Sequence, residues 1–213
     1  MDQIRRTTLM DSVTEELRNA IMNGEVKLGE RVNENTFTSK LGISRTTFRE
    51  ALRQLEQAGL LVRDPFRGTF VREFSQEEIK DLNELRGVLE IYAAEVIIRN
   101  GHNRKELLLP LYEIADQMEG IDPEQEAAQT NALHISFHRT LMEMAEKDLL
   151  FTFWNSLAQQ FWIAMRVSQL AFIAQGESDG FAEAHREIVD AIASGDEDQI
   201  RTIIRKHVSH SFA

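Results

Sequence analysis

Apolar residues recur at three- and four-residue steps along most of this chain, and the steps break where turn chemistry explains the break. Leu9, Val13, Leu17, Ala20 and Ile21 form one stripe, which predicts a helix over 9–23 that Gly24 can close. Residues 34–41 suit a short helix, and Gly42-Ile43-Ser44 supplies a tight turn with Ser44 as N-cap. Residues 45–58 then repeat Phe48, Leu52 and Leu55 on one face. After Gly59 the period changes. Leu60 to Arg63, the turn-rich Asp64-Pro65-Phe66-Arg67-Gly68, and Thr69 to Arg72 read as a β-hairpin with an arginine at its tip. Two short helices joined by a three-residue turn make a helix-turn-helix, and the added hairpin makes it a winged one.

Past the hairpin the pattern is helical almost to the end. Ser75 followed by Glu78 is a capping box, and it opens a helix over 76–99 that Asn100-Gly101 stops. Further helices are expected over 104–119, stopped by Gly120, and over 124–146 behind Asp122-Pro123. The last three are expected over 149–175, 181–194 and 198–211, the final one capped by Asp196. Six helices without a strand pattern predict an all-α bundle. The fold class is therefore mostly α: a winged helix-turn-helix of three helices plus a small hairpin over 1–73, then a helical domain over 74–213, joined by a short linker near Phe74.

Composition changes this picture in three places. Hydrophobic residues make up 42% of the 213, enough for one large or two modest cores. With no cysteine, disulfides and thiolate metal sites are excluded, and a reducing cytoplasmic setting is the plain expectation. Met1 to Arg6 leads into no apolar run, and the greasiest stretch, 151–174, is interrupted by Asn155, Gln159, Gln160 and Arg166. Neither secretion nor a membrane span is expected. The net charge of −11 argues against a nucleic-acid binder only until it is divided along the chain. Residues 1–72 hold 12 Lys+Arg against 10 Asp+Glu, which leaves 12 against 25 for residues 73–213. The acid sits away from the winged segment, and the placement of arginines there matters more than their sum.

Arg45, Thr46, Thr47 and Arg49 occupy the first turns of the second helix of the helix-turn-helix. Laid in a major groove, they would reach base edges and phosphates. Arg67 and Gly68 at the hairpin tip would meet the adjoining backbone, and Arg5 and Arg6 could lie along it as a basic arm. The run from Ser44 to Val71, SRTTFREALRQLEQAGLLVRDPFRGTFV, closely resembles the DNA-binding domain of GntR-type bacterial transcription regulators. Their pattern is roughly S-R-T-P-V-R-E-A-L, then L-x-x-x-G-L, then R-G-x-x-V. This chain departs at Thr47, where many members carry proline, and at Asn35, where some carry an arginine that touches DNA. Thr47 falls at the third helical position, which accepts either residue and here gains a hydroxyl donor.

Four of the six histidines are suggestively placed. His134 and His138 are four apart and stack on one helical face, while His185 and His207 lie on the last two helices, 22 residues apart. Spacing alone leaves two readings open. Four neutral imidazoles converging in a bundle suit a borderline divalent metal such as zinc or nickel. The alternative is scattered histidines, each satisfied by a backbone carbonyl. The segment Leu133-His134-Ile135-Ser136-Phe137-His138 resembles the D-x-x-F-H stretch of the FadR-type C-terminal domain, called the FCD domain. Glu183 to Asp196 and the late His207 are similar to its E-H-x-x-I-x-x-A-I-x-x-G-D and terminal histidine. In metal-binding members an aspartate and three histidines are ligands, so the resemblance implies a divalent metal held by His134, His138, His185 and His207. Here His134 stands in place of the aspartate, which makes the set softer and one negative charge poorer.

The resemblance extends to Arg86, in Leu85-Arg86-Gly87-Val88-Leu89-Glu90, which matches an R-x-x-L-E segment whose arginine faces the effector cavity. A guanidinium beside a metal suits a small carboxylate effector, with Arg166 as a second anchor. Surface salt bridges are the alternative for both. His102 and His210 have no partner pattern and read as solvated, whereas Trp154, Phe161, Trp162 and Phe172 recur at helical spacing and read as core. Together these readings imply a ligand-responsive repressor that binds a palindromic double-stranded DNA operator as a homodimer. Two competing functions remain: a metal-dependent hydrolase or lyase built on the four histidines with Glu183 as base, and an architectural DNA binder without an effector. The enzyme is disfavoured because no motif positions a base for a metal-bound water.

Overall fold

In the computed structural model residues 9–121, 126–174 and 180–209 are described, with side chains except at 127–128 and 165–174. The chain divides into two compact units, one ending at Phe74 and one beginning at Ser75.

In the first unit, α1 (Leu9–Met22), α2 (Glu34–Leu41) and α3 (Arg45–Gln57) are followed by a two-stranded antiparallel hairpin, β1 (Leu61–Asp64) with β2 (Gly68–Val71). Each boundary has a local cause. Asn33 caps α2 by accepting hydrogen bonds from the Asn35 and Thr36 amides, and Gly42 ends it in the left-handed conformation at φ 64°. Two residues later Ser44 caps α3 by accepting from the Thr47 amide at 3.1 Å. The turn is short because one helix's end and the next helix's cap share three residues. Leu17, Phe48, Leu55 and Leu60 are fully buried beneath it, and the Phe37 and Phe48 rings stack at 5.6 Å to tie α2 to α3. In the hairpin turn the Asp64 carboxylate accepts from the Phe66 and Arg67 amides at 2.8 and 2.9 Å. Those two bonds hold its pKa below the ordinary aspartate value. Gly68 sits at φ 105°, where a side chain would also press on the Arg31 guanidinium.

The second unit is a bundle of α4 (Gln76–Arg99), α5 (Leu109–Gln117), α6 (Ala127–Met144), α7 (Asp148–Ala174), α8 (Phe181–Ser194) and α9 (Glu197–Ser209). The Ser75–Glu78 capping box forms in full at the head of α4. This long helix is the axis of the bundle, packing against α6, α7, α8 and α9. At Gly87 it approaches α9 so closely that an added Cβ would lie 3.1 Å from Val208 Cγ2. Trp154, Phe137, Phe161, Leu111, Leu141 and Met142 fill the interior. The largest departure from expectation is α5, which begins at Leu109 rather than 104, with Pro110 in its first turn. Proline has no amide to donate and is tolerated only at a helix start, so it marks the entry, and residues 104–108 form turns before it. Residues 122–125, where the next helix was expected to start, and those from 210 onward lie outside the described residues. No described helix is long and apolar enough to cross a membrane.

Candidate metal centre and nucleic-acid face

The bundle brings the four histidines together. His134 and His138 come from α6, His185 from α8 and His207 from α9, and one ring nitrogen of each lies within 4.8 Å of the others. His134, His138 and His185 are buried and His207 is half-buried. Their rings meet edge-on or tilted, with His134 and His185 centroids 5.0 Å apart and those of His185 and His207 4.7 Å apart. His138 Nε2 and His207 Nε2 are 3.4 Å apart. Four nitrogens at about 2.0–2.1 Å from a shared tetrahedral ion would stand roughly 3.3–3.4 Å from each other. That pair already has the spacing, and the widest pair must close by about an ångström and a half.

Two of the rings are turned by specific partners. His185 Nδ1 lies 2.7 Å from the Phe181 carbonyl oxygen, which can only accept, so the proton belongs on Nδ1 and Nε2 keeps its lone pair. His138 Nδ1 faces the accepting Glu90 Oε2 at 3.0 Å, and its Nε2 is likewise left for the cluster. The Nε2 atoms of His134 and His185 are buried with no hydrogen-bond partner. Orphaned buried nitrogens are costly unless something binds them, and lone pairs converging on one point fit a cation. Burial, before any neighbour, drives the His134 pKa well below the usual imidazole value, and His138, His185, Arg86 and His207 push the same way. Burial also lowers His138, against the pull of Glu90, and lowers His185 to about 3. The three rings are neutral near pH 7, so an incoming metal displaces no proton from them.

Arg86 on α4 is 3% exposed, and its Nε lies 3.6 Å from Glu90 Oε1. Nε and Nη1 make no hydrogen bond, and burial lowers its pKa despite Glu90. A buried guanidinium with unspent donors beside neutral imidazoles can take an anion. Arg166 lies on α7 among the side chains outside the description, and Glu183 is exposed. Glu90 was not singled out from the sequence. Its signals in the sequence are the i,i+4 spacing from Arg86 and its place as the last residue of the R-x-x-L-E segment, and neither points to His138, because that contact spans two helices. His102 is half-buried rather than solvated, and His210, Arg5 and Arg6 lie outside the described residues. Trp154 and Phe161 are fully buried as expected, Trp162 is half-buried against the core, and the Phe172 side chain is not described.

On the winged unit, Arg45, Thr46 and Arg49 are exposed at the start of α3, and Thr47 is half-buried with its hydroxyl 2.9 Å from Ser44 Oγ. The α2 helix steers both arginines. Arg45 Nη2 donates to Asn35 Oδ1 at 3.2 Å, and Arg49 Nε donates to Glu34 Oε2 at 3.2 Å. Exposed pairs of this kind hold by about 1 kcal/mol or less, so a phosphate can replace them. At the hairpin tip Arg67 is exposed with its guanidinium 5.2 Å from the Phe70 ring centre. Arg31 joins this face through its bridge to Phe70, a pairing 39 residues apart that no local pattern signals.

Comparison with known proteins follows the same division. Residues 9–71 match the gntR family of bacterial regulatory proteins, and residues 81–210 match the FCD domain. The probable D-xylose utilization operon transcriptional repressor of Paenarthrobacter nicotinovorans is 30% identical over 97% of this chain and 88% of its own length. The gluconate operon transcriptional repressor of Bacillus licheniformis is 25% identical over 86% of this chain and 75% of its own. Among solved structures, E. coli McbR/YncC superposes with a TM-score of 0.75 at 19% identity, covering 96% of this chain and 97% of that one. A GntR regulator from Rhodococcus sp. RHA1 also gives 0.75, at 23% identity and 93% of each chain. At such identities the two structures speak to the fold.

Proposed function

This chain belongs to the gntR family of bacterial regulatory proteins and carries an FCD domain, and from that premise we propose that it is a metal-dependent, ligand-responsive repressor. The families and relatives are transcription regulators, not enzymes. In our reading α3 enters the major groove of a palindromic operator, with Arg45, Thr46, Thr47 and Arg49 at base edges and phosphates. Arg67 and Gly68 of the wing follow the backbone. His134, His138, His185 and His207 hold one divalent ion, zinc or nickel by the chemistry of an all-imidazole set. Arg86, with Arg166 as a second anchor, takes a small carboxylate effector. Repression as the sense of regulation is carried over from the named repressors among the relatives. Action on DNA places it in the cytosol.

The observation that carries the effector half is the convergence of four imidazole nitrogens, two of them orphaned and buried, beside an arginine with unspent donors. A purely architectural DNA binder has no use for such a site, because an apolar core of the same shape would be more stable. The test is operator affinity measured with and without chelator across a panel of small carboxylates. A coupling of about 1–3 kcal/mol changes that affinity roughly 5- to 150-fold. A response to no carboxylate, with or without metal, would reject the ligand-responsive reading.

Two narrower expectations belong here. Arg45→Ala and Arg49→Ala should each weaken operator binding by roughly 1–3 kcal/mol at fixed salt, since each removes a charged donor from the groove-facing turns. Unchanged binding by both would remove α3 as the recognition helix. A homodimer is expected because one winged helix reads only a few base pairs, and two-fold symmetry matches a palindrome. Leu85, Val88 and Tyr92, exposed on successive turns of α4, offer an apolar stripe to a second copy. Light scattering at micromolar concentration should give twice the 24.5 kDa chain mass, and a monomer that binds an isolated half-site tightly would refute the dimer.

A further inference from the structure

We propose that Glu90 is a positioning residue of the histidine cluster: its buried carboxylate holds His138 in the tautomer that presents Nε2 inward and supplies negative charge that four imidazoles lack. This inference rests on the metal reading of the cluster. Glu90 comes from α4, which contributes none of the four histidines, and has no exposed surface. One oxygen lies 3.0 Å from His138 Nδ1, within hydrogen-bonding distance, and the other 3.6 Å from Arg86 Nε.

Packing alone does not explain such a residue. A fully buried carboxylate costs stability, and a leucine or glutamine of similar volume would sit in the same space with a smaller penalty. What the position does offer is chemistry toward His138. A carboxylate accepts only, so the proton facing it must belong to Nδ1, and Nε2 on the far side is then a lone pair directed at His207 Nε2. A carboxylate behind a ligating imidazole also raises the basicity of the ligating nitrogen.

The surroundings make the charge matter. Phe137 and Phe181 stand edge-on to His185 with ring centres 4.8 Å away, so the site is walled by apolar rings. A dication bound there by four neutral nitrogens would keep its full charge in a poorly polarisable pocket, with the Arg86 cation nearby. Glu90 offsets both: it pairs with Arg86 on one oxygen and faces the cluster through His138 on the other. Arg86 and His138 therefore share one carboxylate.

The experiment uses the full chain, stripped with a chelator and titrated with zinc and with nickel against a chromophoric competitor. Glu90→Gln keeps the shape of the side chain and removes the charge; its metal affinity is expected to fall about 10- to 100-fold while one ion per chain still binds. Glu90→Asp keeps the charge but withdraws it by one methylene, and its affinity is expected between the two. Cobalt-loaded Glu90→Gln should show shifted d–d absorption bands, because the donor strength of His138 has changed. Thermal melts of the metal-free proteins establish that each variant is folded. Affinities within twofold of wild type for both variants, with unchanged cobalt bands, overturn the role of Glu90 and leave the metal reading standing. A wild type that takes up no metal overturns both.

Discussion

His185→Ala is expected to abolish metal uptake at micromolar concentrations and to remove the metal-dependent part of the bundle's thermal stability. His185 is fully buried, its ring is fixed by the Phe181 carbonyl, and its Nε2 is buried with no hydrogen-bond partner. Alanine removes one of four donors and leaves a gap that the surrounding α6 and α9 side chains cannot fill with another ligand. A wild type held at about a thousand times its dissociation constant gains roughly 4 kcal/mol, or on the order of 10 °C in a chain of this size. That increment should be absent from the variant. The same ring predicts a pH dependence. Burial lowers the folded-state pKa of His134, of His138 and of His185, the last to about 3, below the ordinary value of 6.5. The unfolded chain therefore binds more protons as pH falls below about 6.5, and the metal-free fold loses stability through that window. Melts of metal-free protein at pH 7.5 and 5.5 measure the effect. Metal-free His185→Ala should lose less on acidification, having one buried imidazole fewer. A variant that retains one ion per chain, or a metal-free wild type that is more stable at pH 5.5, would contradict the site as drawn.

Phe48→Ala is expected to be the most damaging single change in the winged unit, at about 3–5 kcal/mol. Phe48 has no exposed surface, stacks on Phe37 of α2, and belongs to the layer with Leu17, Leu52 and Leu55 that holds α1 against α3. A unit of this size rarely has more than about 3–5 kcal/mol of stability of its own, so the loss is comparable to the whole. Operator binding should disappear because Arg45 and Arg49 are no longer presented together, while metal uptake by the bundle persists. Circular dichroism, operator affinity and metal content of one preparation test this. Full operator affinity with an unchanged melting temperature would show that Phe48 does not organise the helix-turn-helix.

The two predictions differ in how far they could be anticipated. The Phe48 layer is readable because it is a local period: Phe48, Leu52 and Leu55 repeat on one helix whose start is set by Ser44 and whose predecessor is ended by Gly42. Caps act within three residues, so their chemistry survives any tertiary arrangement. Where a boundary depended on competing local signals the reading slipped, as at α5, where Pro110 and not the polar run before it decided the entry. The histidine set lay between these cases. Spacing placed His134 and His138 on one face, but resemblance was needed to join them to His185 and His207, since α8 and α9 reach α6 only through the bundle.

By itself, the sequence determined the order and type of the elements, the winged helix-turn-helix, the helical second half, and which histidines were candidates. It did so because helical period, capping and turn preference are properties of neighbours a few residues apart. Tertiary structure alone decided that four imidazole nitrogens lie within 4.8 Å of one another, that Glu90 of α4 stands behind His138, and that Arg31 flanks the wing. Those facts depend on helices packing at specific angles and heights, and burial then alters the chemistry of every group involved. A carboxylate at position 90 is an ordinary helix residue until desolvation removes water from it, and only the packed bundle does that.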